Sequence, residues 1–267
     1  MKPVNQLPAA QVTTVFTDID DTLTTEGKLG AQAYAALQAL QDAGLRVIPV
    51  TGRPAGWCDH IARMWPVDGI IGENGALYMW HDHASGKLRT RHLLDAPERA
   101  GNAARLAQVR EQVLREVPGC AVASDQFCRQ YDLAIDFCED VPALERDDVD
   151  RIVRIMEQAG MTAKISSIHV NGWFGDYDKL SMARLMMRER YGIDLGDEEQ
   201  RARCVFAGDS PNDAPMFAYF PLSVGVANVL AFSDRLPHPP HYITHDACGA
   251  GFAELAQHLL SDHGHAS

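Results

Sequence analysis

The sequence predicts an α/β fold: a doubly wound, Rossmann-like parallel sheet with a smaller α+β unit inserted into it. Three observations predict it. Short β-branched runs alternate with amphipathic helical stretches over the first ~80 residues, with tight connections between them. The same alternation resumes at Lys179. Between them lie ~90 residues with another rhythm: helix, two strands, helix, two strands. The expected division is therefore a core of residues 1–84 and 179–267 and an inserted unit of 85–178.

Each element follows from local pattern. Residues 12–17, Val-Thr-Thr-Val-Phe-Thr, form a short apolar and β-branched run ending in acids, which predicts a buried strand. Tyr34, Leu37 and Leu40 recur at helical spacing, with Gly44 at the stop. Residues 45–50 predict a second strand running into Thr51-Gly52-Arg53-Pro54. A helix through Trp57, Ile61 and Met64 must stop before Pro66, and Gly69 opens a third strand. A hairpin over 77–94 follows. The insert then predicts helices over 97–117 and 144–159 and strands over 120–123, 131–137, 162–165 and 168–174. Beyond it come a helix over 179–191, a strand at 204–207, a helix after Pro211, strands at 222–226 and 242–244, and a last helix over 252–260. Within 168–174, Ile168, Val170 and Phe174 share one face, and Ser167, His169, Asn171 and Trp173 share the other. The first face is expected to pack on the insert's helices. The second either faces a ligand, where His169 and Trp173 suit a sugar ring, or is simply wet.

Composition excludes several classes. The chain has 267 residues, with 24 Lys+Arg against 36 Asp+Glu, for a net charge of −12. A nucleic-acid binder needs a basic surface, and so does a polybasic membrane-surface protein. Of the −12, −8 falls in the core segments and −4 in the insert. No apolar run reaches the ~20 residues of a membrane span. The first residues lack the apolar stretch of a signal peptide. Six cysteines without a Cys-x-x-Cys pair read as reduced thiols. The expectation is a cytoplasmic protein with no nucleic-acid or membrane partner.

Parallel sheets bind ligands at the carboxyl ends of their strands. Asp18 and Asp20 stand at such an end, on the same side and roughly 7 Å apart. Two carboxylates so placed repel unless a proton or cation intervenes, and Mg²⁺ accepts few carboxylates while leaving room for phosphate. A solvated acidic turn is the alternative. Gly208-Asp209-Ser210-Pro211-Asn212-Asp213 ends the strand at 204–207 and can share the metal, or cap the helix that follows. Thr51-Gly52-Arg53 offers a hydroxyl, a backbone amide and a guanidinium for phosphate. Lys179 is the first basic residue after the insert. His81-Asp82-His83 has no third ligand in view, and the sequence has neither a Gly-x-Ser-x-Gly elbow nor a Gly-x-Gly-x-x-Gly loop.

In this order, Asp18-Ile19-Asp20-Asp21-Thr22-Leu23-Thr24, Thr51-Gly52-Arg53, Lys179 and the 208–213 cluster resemble the four motifs of the haloacid dehalogenase superfamily of phosphohydrolases. The resemblance spans about residues 14–228. The insert's pattern, Gly72-Glu73-Asn74-Gly75-Ala76 and Gly225-Val226-Ala227-Asn228 are similar to subclass IIB, which contains sugar phosphatases and phosphomannomutases. The resemblance implies that Asp18 is the nucleophile and Asp20 the general acid/base. It implies Mg²⁺ held by the Asp18 and Asp209 carboxylates and the Asp20 carbonyl, with Asp213 nearby. Thr51, Gly52, Asn212 and Lys179 would bind the phosphoryl group, with Arg53 and Asn74 close to substrate. Many relatives have Gly where this chain has Asp21. The implied activity is hydrolysis of a small phosphorylated metabolite, such as a sugar phosphate. A phosphomutase on the same scaffold, or a phosphorylatable regulatory protein, is the alternative.

Overall fold

At the centre of the molecule is a six-stranded sheet, parallel throughout. The computed structural model describes residues 1–166 and 168–263. The chain begins with β1 (Lys2–Pro3), β2 (Thr14–Thr17) and a small hairpin, β3 (Thr24–Thr25) and β4 (Lys28–Leu29). Next come α1 (Ala31–Asp42), β5 (Arg46–Pro49), α2 (Ala55–Met64), β6 (Ile70–Gly72), β7 (Leu77–Asp82) and β8 (Lys87–His92). Then follow α3 (Ala96–Glu116), β9 (Ala121–Val122), β10 (Asp132–Asp136), α4 (Arg146–Gln158), β11 (Thr162–Ile165) and β12 (His169–Trp173). The chain finishes with α5 (Lys179–Tyr191), α6 (Glu198–Arg201), β13 (Cys204–Gly208), α7 (Ala214–Tyr219), β14 (Leu222–Gly225), β15 (Tyr242–Ile243) and α8 (Cys248–His263).

The large sheet runs β1-β15-β14-β13-β2-β5. Successive strand residues point to opposite faces, and each face has its own core. Val15, Val47, Val205 and Val224 join α1, α2 and α8 through Leu37, Ile61 and Leu255. Phe16, Ile48 and Phe206 join α5 and α7 through Met186 and Phe217. Burial on both faces explains why these strands are apolar without alternation. A third cluster, with Val113, Leu133, Ile135, Ile152, Met156 and Val170, lies between α3, α4 and a four-stranded antiparallel sheet of order β11-β12-β10-β9.

Several expectations need correction. β6 lies beside the end of β5 through the parallel Val50–Ile71 bridge, with the Thr51 amide donating to the Ile71 carbonyl at 2.9 Å, but its main pairing is antiparallel, β6 with β7 and β7 with β8. Position 84 thus falls in the turn of the β7–β8 hairpin. In α1 the buried stripe is Ala33, Ala36, Leu37 and Leu40, while Tyr34 is 37% exposed. In α2 it is Ala55, Cys58, Ile61 and Ala62, while Trp57 and Met64 face solvent. The expected Leu37, Leu40 and Ile61 are buried, and alanines and Cys58 take the places expected for Tyr34, Trp57 and Met64. The polar face of β12 is not wet: His169, Asn171 and Trp173 are all buried. Ser167 lies outside the described residues. No described helix is long and apolar enough to cross a membrane.

Candidate active site

β2 and β13 are neighbours in register, Thr17 opposite Ala207, so their carboxyl ends deliver Asp18 and Asp209 to one place. The Asp18 amide donates to the Ala207 carbonyl at 2.8 Å, extending the ladder into the loop. The Asp18, Asp209 and Asp213 carboxylates lie within 4.8 Å of one another and are buried. Gly208 makes this possible, because a Cβ there would meet Asp213 Oδ2 at 2.5 Å. Asp213 Oδ2 instead accepts the amides of Asp209 (3.1 Å) and Ser210 (3.3 Å). Asp209 accepts from Thr22 Oγ1 (3.3 Å) and from Asn228 Nδ2 (3.1 Å).

Lys179 is the first residue of α5, a start fixed by a capping box. The Ser181 amide donates to Asp178 Oδ1 at 2.7 Å, and the Asp178 amide donates to Ser181 Oγ at 3.0 Å. From there the buried Nζ donates to Asp18 Oδ1 and Asp213 Oδ1, each at 2.7 Å. Burial raises the Asp18 carboxyl to about 7 against the pull of Lys179, with Asp213 and Asp20 adding to the rise. Burial, with the Asp18, Asp213 and Asp21 carboxylates, pushes Asp209 well above the usual range. Asp18 and Asp213 in turn hold the Lys179 ammonium charged despite its burial. With all three ionised, the carboxylates exceed the one ammonium by two negative charges, all on hard oxygen donors. A divalent ion such as Mg²⁺ fits that charge and donor set.

The other expected residues gather around this cluster. Asp20 is held by Arg53, whose Nε donates to both carboxylate oxygens at 3.0 and 3.1 Å. Arg53 also contacts Asp125 and Glu139 and lies 4.5 Å from the Trp57 ring centre. Thr51 is fully buried, and its Oγ1 accepts the Arg53 amide at 3.0 Å. Asn74 sits in a left-handed turn (φ 55°) with its Nδ2 buried and unpartnered, close against Gly52. Asn212 Oδ1 accepts from Ser210 Oγ at 2.7 Å. A narrow cavity of ≈ 20 Å³ opens onto Asp18, Asp20, Gly52, Arg53 and Asn212, room for about one water.

The insert closes that cavity with Arg129, Ser166, Ile168, His169 and Asn171. His169 Nε2 lies 2.9 Å from Glu139 Oε2, and this contact together with Arg53 brings the Glu139 carboxyl down to about 2. Trp173 does not line the cavity. It is fully buried and stacked on Tyr177, with ring centres 5.6 Å apart. Arg129, Glu139 and Asp125 were not expected from the sequence, whereas Glu73 stands in the expected polar segment with Asn74. Arg129 binds Asp125 and Asp132, four residues before and three after it, a spacing visible in the chain but meaningful only once the loop is folded.

The profile of the haloacid dehalogenase-like hydrolases matches residues 15–108. With the β2 and β13 acids, Lys179 and the fold, that match supports a hydrolase of the haloacid dehalogenase type, and the fold is like that of subclass IIB structures. The chain is similar to a phosphoglycolate phosphatase of Pyrobaculum neutrophilum, 28% identical over 91% of this chain and 94% of that one. Among solved structures it resembles Thermoplasma acidophilum 0175, with TM-score 0.69, 17% identity, and 93% and 98% of the two chains covered. It also resembles the subclass IIB sugar phosphatase BT4131, with TM-score 0.60, 15% identity, and 92% and 98% covered.

Proposed function

We propose that this chain is a magnesium-dependent phosphatase that hydrolyses small phosphomonoesters through an aspartyl-phosphate on Asp18. The Lys179–Asp18 contact of 2.7 Å, inside a cluster of three buried carboxylates, carries the reading. A phosphomonoester dianion cannot approach an anionic nucleophile until charge is neutralised. Lys179 takes Asp18 Oδ1, supplies one positive charge and leaves Oδ2 to attack phosphorus. Mg²⁺, held by the Asp18 and Asp209 carboxylates and the Asp20 carbonyl with Asp213 behind them, would supply the remaining positive charge. The Thr51 hydroxyl, the Gly52 amide, Asn212 and Lys179 bind the phosphoryl oxygens. Arg53 fixes the Asp20 carboxyl, which protonates the leaving oxygen and then takes a proton from the hydrolytic water.

Residues 85–178 act as a cap over the core formed by 1–84 and 179–267. The closed cavity is too small for a substrate, so the cap must move for one to enter. Ser166, His169 and Asn171 then offer hydrogen bonds to the leaving group, which suits a sugar phosphate or a phosphorylated hydroxy acid. The named activities of the relatives, phosphoglycolate and sugar-phosphate hydrolysis, fall in that class. Trp173 supports this wall from behind. Cys58 and Cys204, buried as thiols, suit a reducing cytoplasm.

The test is phosphate release from a panel containing phosphoglycolate and hexose phosphates, with Mg²⁺ or with EDTA. The expected result is release from at least one member, abolished by EDTA and by Asp18→Asn with circular dichroism unchanged. No release by folded, Mg²⁺-loaded protein would overturn the reading. A mutase would isomerise a sugar phosphate without releasing phosphate, so the same assay separates it.

A further inference from the structure

The turn at 73–75 ties together three parts of the molecule. Glu73 is fully buried, and backbone amides fill both its oxygens. Oε1 accepts from Ala55 at 3.0 Å and Gln130 at 2.9 Å. Oε2 accepts from Gln130 at 3.0 Å, Tyr131 at 2.6 Å and Asp132 at 3.2 Å. Ala55 begins α2 directly after the Thr51–Pro54 loop, whereas 130–132 lead into β10 of the insert. A carboxylate at this depth is tolerated only when donors saturate it, and here most of the donors come from the insert.

The residue just before that socket is Arg129. Its Nη1 donates to the Gly52 carbonyl at 2.9 Å and to both Asp132 oxygens at 3.0 Å, and it lines the active-site cavity. The turn itself is strained. Glu73 (φ 45°) and Asn74 (φ 55°) are both left-handed, a conformation that a residue such as Glu73 resists. Gly75 (φ 105°) follows, and a Cβ there would meet the Asp178 carbonyl at 2.0 Å, one residue before Lys179. The Asn74 amide donates to the Thr51 carbonyl and the Glu73 amide to the Arg53 carbonyl, each at 3.0 Å. Strain held by this many contacts points to a role.

We propose that Glu73 is a positioning residue: its carboxylate docks the insert backbone at 130–132 onto the core, sets Arg129 over the phosphate-binding loop, and so holds the closed state. The kinetic part of this inference rests on the phosphatase reading; the docking part does not. Glu73→Gln keeps the shape but turns one acceptor into a donor that faces amide N–H groups. Hydrogen exchange at Ala55 and at 130–132 should then speed up at least tenfold, with β2 and β13 unchanged. On a small phosphomonoester kcat should fall at least tenfold, beyond any change in KM. Unchanged exchange at 130–132, or a uniform rise across the core strands, would overturn the proposal.

If Glu73→Gln does not fold, the wild-type protein still decides. With Mg²⁺ and orthovanadate, Ala55 and 130–132 should gain protection together, while α3 and α4 stay as they were. Independent behaviour of the two segments would overturn docking. Absence of phosphate release by wild type would remove the enzymatic reading and leave the exchange result standing.

Discussion

Lys179 and Asp18 are 161 positions apart in sequence and 2.7 Å apart in space, and that contact sets the local charge balance. Removing the ammonium leaves three buried carboxylates with no cation among them. Breaking a buried pair from one side costs about 3–5 kcal/mol. Lys179→Met is therefore expected to lower the melting temperature of the metal-free protein by several degrees and to reduce kcat at least ~10²-fold, since it removes a preformed donor to the transferring group. Thermal scans with and without Mg²⁺ check the first claim, because the ion should recover part of the loss. A variant as stable and active as wild type would count against the site. Asp18, Asp20, Asp209 and Lys179 were legible in the sequence because each stands at a strand or helix end that the alternation pattern already placed. Arg129 was not, and Glu73 was visible as part of a polar strand end but not for what it holds. Their partners are backbone groups and loop carboxylates that come into reach only after the insert docks.

Elements were read best where one physical rule dominated. β11 and α5 fall on the expected residues, the first bounded by its β-branched ends and the second by Asp178 and Gly192. In α1 and α2 the expected Leu37, Leu40 and Ile61 are buried, but alanines and Cys58 complete the core face and leave Tyr34, Trp57 and Met64 outside. Tyr34 donates from its hydroxyl to the Met64 carbonyl, and Trp57 lies under Arg53, so each has a use at the surface. β6 meets the end of β5 in parallel at the Val50–Ile71 bridge, and its antiparallel pairing with β7 is what the strand pattern alone did not show. The 73–75 turn belongs to this scale too. Gly75→Ala adds one methyl where the Asp178 carbonyl already stands, at a φ that a side chain resists. It should shift the start of α5, lower stability by about 1–3 kcal/mol, and cut kcat more than it raises KM. Urea titration and steady-state kinetics measure both, whereas a neutral variant would show that the turn does not hold Lys179 in place.

For the whole molecule, a net charge of −12 repels polyanions, yet on the proposed reading the site where Asp18, Asp209 and Asp213 converge takes a small anion once a cation is bound. The pH dependence follows from the same groups. Burial lifts the Asp18 carboxyl to about 7, well above its unfolded value, and lifts Asp209 in the same direction. A carboxyl raised by folding holds a proton in the native state that the unfolded chain has released. Its contribution to stability is therefore complete below the unfolded pKa and is lost as pH rises through the folded one. Metal-free protein should melt at a higher temperature near about pH 5 than near about pH 8. Mg²⁺ competes with the protons on Asp18 and Asp209, so the rise in melting temperature on adding it should be larger at the higher pH. Calorimetry at the two pH values, with millimolar Mg²⁺ and with EDTA, measures this directly. An equal metal-induced shift at both would mean that Asp18 and Asp209 neither carry those protons nor bind the ion.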